Sequence, residues 1–126
     1  MDDRTATEVS SLSVAERQIA CLVVSAVNGS THHIGIVSRQ LLGLGVPRWL
    51  VDAIARAPAW PSSEDDRLDV ITMFAAQLTA APRAIAATGI DRLRSVGLTD
   101  RDIVELVNLI GYYNCVNRVA VGLALR

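Results

Sequence analysis

The stretch from Thr99 to about Leu123 constrains this chain more than any other. Thr99 can cap a helix, Asp100 and Asp102 place negative charge at the positive end of its dipole, and no proline follows to break it. The helix so defined is apolar nearly all round, with Glu105 and Asn108 leaving it on one side and Asn114, Asn117 and Arg118 on another. Such a helix is expected to be surrounded by protein rather than by water. Composition says the same of the whole chain. At 51% apolar residues and a mean hydropathy of +0.34, 126 residues carry more apolar side chain than one small interior hides. The surplus is therefore expected to be covered by other copies of the chain, with a buried central helix in a monomer as the alternative.

The remaining elements also read as helices. Residues 1–11 hold turn formers without periodicity and are expected to form a mobile tail, leaving one domain over residues 12–126. Ser13 followed by Glu16 reads as a capping box, and the helix it opens should end at Asn28-Gly29, residues that tolerate a left-handed backbone. Ser30 or Thr31 then caps a second helix with Ile34, Val37, Leu41 and Leu42 at helical spacing, ending near Leu44-Gly45. Pro47 suits the first turn of a third helix that stops at Ala57-Pro58. Ser63 with Asp66 resembles a capping pair for a fourth, from about Glu64 to Thr79. A short helix from about Ile90 to Ser95, closed by Gly97, follows Pro82. No alternating pattern appears, so the fold class is predicted as all-α, a bundle of about six helices.

Several functional classes are disfavoured. Twelve basic against 13 acidic residues give a net charge of -1, which offers no basic surface for nucleic acid. The longest apolar stretch, Ile19 to Val27, is interrupted by Ser25 and is too short for a membrane span. The polar N-terminus lacks an apolar signal core, which points to the cytoplasm. In that compartment Cys21 and Cys115 are expected to be separate buried thiols rather than a disulfide.

The chemistry-bearing residues gather in "NGSTHHIGIV", Asn28 to Val37. Ser30 and His33 are one turn apart, so His33 could accept the hydroxyl's proton, although no acid is visible to orient the imidazole. His32 or His33 could also act as a general acid or base. Adjacent His32 and His33 diverge by about 100° and cannot easily ligate one ion, so no metal is expected, and no cofactor is implied. Trp49 and Trp60 read as packing anchors, "SSEDD" as solvated dipole partners, and Arg92 and Arg94 as diverging rather than forming an anion clamp.

The order of elements resembles the alkylhydroperoxidase D (AhpD) and carboxymuconolactone decarboxylase family, specifically its peroxidase-related branch. The resemblance rests on "LSVAERQIACLVVSAVNG", on Gly97 to Asp100, and above all on Tyr113-Asn114-Cys115-Val116-Asn117-Arg118, which is similar to that branch's F-N-x-x-N-R segment. It implies an AhpD-like helical bundle that assembles through apolar helices into dimers, trimers or hexamers. The family's redox members share a Glu twelve residues before the first Cys of N-G-C-x-x-C-x-x-x-H, a pattern that serves peroxide reduction by a thiolate and a resolving thiol. Aligned through Asn28-Gly29, those positions hold Gln18, Ser30, His33 and Val37 here. The expected protein therefore lacks thiol peroxidase activity and keeps a small pocket at Gln18, Ser30, His32, His33 and Asn117. Its partners are other copies of itself, a small-molecule ligand or a redox-competent paralogue. A non-redox enzyme of decarboxylase or isomerase type, using His33 as acid or base, is the alternative, and a purely structural subunit is the third.

Overall fold

A computed structural model describes residues 10–58 and 63–126; residues 1–9 of the expected tail and Trp60 lie outside them. Six α-helices and one short 3-10 turn make up the described residues, with no strand among them. The helices are α1 (Val14–Asn28), α2 (Thr31–Gly43), α3 (Arg48–Arg56), α4 (Asp66–Ala80), α5 (Ala87–Ser95) and α6 (Asp100–Gly122), with the turn Pro82–Ala84 before α5.

Helix α1 is the axis of the fold. Its capping box forms as the sequence predicts, Glu16 N–H donating to Ser13 Oγ and Ser13 N–H to Glu16 Oε1. The seven consecutive residues Ile19 to Ser25 are all buried, which requires neighbours on every side. Helices α2, α3, α4 and α6 supply them. Within one chain, the helix wrapped all round is α1 rather than the last helix. Within one chain, α6 buries Ile103, Leu106, Ile110, Asn117 and Ala120, while Val104, Tyr112 and Val119 on its other side are 56–64% exposed. Its apolar pattern covers both sides, but α1, α4 and α5 cover only one.

The start of the described chain is tied down across the bundle. Asp102, itself buried in the first turn of α6, accepts from Ser10 Oγ at 3.0 Å, Ser11 N at 2.9 Å, Ser11 Oγ, and Thr99 N at 2.9 Å. Thr99 and Asp102 thus form the second capping box, which doubles as an anchor for the segment before α1. Arg67 on α4 pairs with Glu16 at 2.8 Å, and Arg17 pairs with Glu105 at 2.7 Å, so α1 is held at this end from both flanks.

Two predicted caps are different in the structure. The fourth helix is capped by Asp65, which accepts from Leu68 N at 3.1 Å. Ser63 instead donates its hydroxyl to Asp69 at 2.7 Å, because Glu64 takes a positive φ of 65° and turns the chain before the helix starts. Ser30 occupies the N-cap position of α2, but its side chain makes no capping bond.

Candidate functional site

The α1–α2 junction explains what Ser30 does instead. Gly29 takes a left-handed φ of 68°, its N–H closing on Ala26 O while Ser30 N–H closes on Ser25 O at 3.0 Å. Ile34 N–H bonds Ser30 O at 2.9 Å to start α2. This tight turn leaves Ser30 only 1% exposed, with Oγ 3.0 Å from His33 Nδ1. The hydroxyl that could have capped the helix is used on the imidazole.

His33 is half-buried, and burial, followed by the charge of neighbouring His32, lowers its pKa below the ordinary histidine value. The ring is then neutral at pH 7, and in the tautomer with the proton on Nε2 its Nδ1 accepts from Ser30. The two imidazoles meet edge to face, with centroids 5.1 Å apart and planes at 88°. Among the described residues no group of three or more His, Cys, Asp or Glu could hold a metal ion.

Two residues that the sequence did not place here complete the row. The Tyr113 ring stands edge-on to His33 at 5.9 Å, and the Cys21 thiol lies close enough to its phenol for each to perturb the other's ionisation. Burial pushes Cys21 up to about 12, and burial with the adjacent thiol pushes Tyr113 up to about 12. Ser30, His33, Tyr113 and Cys21 therefore connect α2, α6 and α1, with every member neutral at pH 7. The available signal was weak: a phenol in a buried helix needs a hydrogen-bond partner, and of the two thiols expected to be buried only Cys21 is, Cys115 being exposed on α6.

Asn117 is fully buried and supports the turn rather than lining an opening. Asn28 Nδ2 donates to Asn114 Oδ1 at 3.0 Å and to Asn117 Oδ1 at 3.1 Å, and Asn117 Nδ2 donates to Ser25 Oγ at 3.2 Å. Asn114 also donates to Thr79 Oγ1 at 3.2 Å, linking α4. These asparagines satisfy one another inside the chain, while Arg118 is exposed. Gln18 lies one turn before Cys21 on α1, and its Oε1 is buried without a hydrogen-bond partner. No hydrogen bond joins it to Ser30 or His33.

Concavities mark the described surface. One, of about 790 Å³, runs between α1, α4 and α5 along Val27, Val70, Met73 and Phe74. Another, of about 450 Å³, lies near Glu16, Ile19, Val46 and Leu50. Neither takes in Ser30, His32 or His33.

No family model matches the chain, and no curated protein does. Solved structures do. The chain is similar to an uncharacterized peroxidase-related protein from Silicibacter sp. TM1040, with a TM-score of 0.85 and 30% identity, covering 98% of this chain and 64% of that one. It is also similar to an alkylhydroperoxidase AhpD core, an uncharacterized peroxidase-related protein from Ralstonia eutropha JMP134, with a TM-score of 0.85 and 19% identity, covering 94% of this chain and 62% of that one. The second likeness speaks for the fold alone, and the chain spans just under two thirds of both neighbours. No described helix is long and apolar enough to cross a membrane. With the helical order and the shared fold over nearly its whole length, the chain is similar in fold to the AhpD-like, peroxidase-related proteins.

Proposed function

We propose that this protein keeps the AhpD-like scaffold without thiol-peroxidase chemistry, and that the Ser30–His33 pair serves it as a neutral, hydrogen-bonding site for a small ligand. The observation that carries the proposal is the Ser30 Oγ to His33 Nδ1 hydrogen bond of 3.0 Å, at the position where the family resemblance calls for a thiolate. Serine has no sulfenic acid through which to pass a peroxide oxygen. The nearest thiol supports the same reading, since Cys21 is buried and, at about 12, stays protonated and unreactive at neutral pH. The orphaned Gln18 Oε1 is an acceptor that a ligand's donor group could satisfy.

The test is turnover of an organic hydroperoxide with a dithiol reductant. The expected result is no turnover above the uncatalysed rate. Robust turnover that disappears in Cys21→Ser or Cys115→Ser would overturn the reading.

A second reading is favoured by the lowered pKa of His33: a neutral imidazole already hydrogen-bonded to a hydroxyl is poised as a general base, as a non-redox decarboxylase or isomerase would need. Should an activity be found, His33→Ala abolishes it under this reading, and an activity left untouched by that substitution would reject it. We further propose that the exposed side of α6, with Val104, Tyr112 and Val119, is covered by other copies of the chain in a dimer, trimer or hexamer. Sedimentation equilibrium reads this directly, and a monomer at micromolar concentration would refute it.

A further inference from the structure

The groove between α1, α4 and α5 has the size and lining of a small-molecule site. Its volume of about 790 Å³ falls within the range such sites occupy. Ala26 and Gly89 leave the room, since neither fills the space beside it, and Val27, Val70 and Phe74 supply an apolar wall. Met73, 43% exposed, is an unbranched and polarisable side chain that adapts to different apolar shapes. The groove carries one cation. Arg92 lines it three residues after Gly89, on the same face of α5, and its guanidinium has no hydrogen-bond or ion-pair partner among the described residues. Its neighbours are otherwise engaged: Asp91 pairs with Arg94 at 3.3 Å, and Arg94 also with Asp100 at 3.0 Å.

An apolar trough with one unpaired guanidinium matches one ligand chemistry. The body of the ligand must be hydrocarbon to match the wall. Its head must carry a single negative charge, because one cation neutralises one, and a planar carboxylate fits the guanidinium fork. We propose that this groove binds a small amphipathic monocarboxylate, its apolar body along Val27, Val70 and Phe74 and its carboxylate at Arg92. The site is separate from Ser30 and His33 and holds whether or not that pair reacts.

Calorimetric titration of the full chain with decanoate, decanol and decylammonium tests it. Decanoate binds saturably at one site, decanol more weakly, and decylammonium most weakly. Arg92→Gln lowers decanoate affinity about fivefold, the worth of an exposed ion pair at its upper range, and leaves decanol unchanged. Gly89→Leu places a side chain in the groove without a backbone clash, since its Cβ would stand 3.8 Å from the Phe74 ring, and it abolishes binding of all three while circular dichroism stays unchanged. Equal affinity for decanoate and decanol, an Arg92→Gln variant that binds as tightly as the parent, or undiminished binding by Gly89→Leu each overturns the proposal. Decanoate affinity that falls as protein concentration rises also overturns it, by showing that another copy of the chain occupies the groove.

Discussion

Replacing Asp102 by asparagine removes one charge and one acceptor from a carboxylate that accepts four hydrogen bonds. Oδ1 receives Ser10 Oγ and Ser11 N, and Oδ2 receives Ser11 Oγ and Thr99 N. The hydroxyls can turn, but the two backbone N–H groups cannot. Whichever way the amide is placed, its NH2 faces one of them, so one part-buried backbone donor is left without its acceptor and the remaining bonds lose their charge assistance. One unsatisfied donor and one weakened charged bond, each worth about 1.5 kcal/mol or more, give a loss of about 3 kcal/mol at pH 7.

The pH dependence of that loss has a definite sign. Burial alone would raise the Asp102 pKa, but the bonds from Ser11 and Thr99 outweigh it and hold the carboxyl well below its ordinary range. A group whose folded pKa is depressed stabilises fully above its unfolded value of about 3.9, and that contribution is lost as pH falls through the folded value. Urea unfolding of both proteins at pH 7 and at pH 3 is the assay. The gap between parent and Asp102→Asn should be about 3 kcal/mol at pH 7 and narrower at pH 3. A gap under about 1 kcal/mol at pH 7, or one that does not narrow in acid, would refute the argument.

Three further outcomes are expected. Asn117→Ala removes an acceptor from Asn28, a donor to Ser25 and buried volume, and should cost about 2–3 kcal/mol in the same unfolding assay. The His33 resonance in an NMR titration should show a midpoint below 6.5, and His32→Gln should raise it without restoring the ordinary value, because burial persists. A maleimide should label Cys21 only at the rate of unfolding, since that thiol is buried and protonated; labelling as fast as that of a free thiol contradicts its placement.

Helix boundaries were legible wherever one side chain dictates the backbone. Ser13 with Glu16, Thr99 with Asp102, and Gly29 all do what their types predict, because a cap or a left-handed turn is a local event. The Ser63 cap was misread because three acidic residues in a row, Glu64 to Asp66, offer competing caps, and the positive φ of Glu64 selects Asp65. Spacing alone brought Ser30 and His33 together, but not Tyr113, which reaches His33 from α6, far on in the chain. The apolar character of α1 and α6 was equally plain in the sequence. Which of them is enclosed depends on how many helices pack around each, and that is a property of the assembled bundle.

The order of synthesis sets a problem for α1. Of the described helices it leaves the ribosome first, with seven core positions from Ile19 to Ser25 awaiting cover, while Asn117, which bonds Ser25, follows 92 residues later. Helices α2, α3 and α4 can cover part of the segment earlier, but the face that meets α6 stays open and aggregation-prone until that helix emerges. Completion of this core therefore waits for α6, and truncations that stop short of α6 should accumulate as aggregates rather than as partly folded domains.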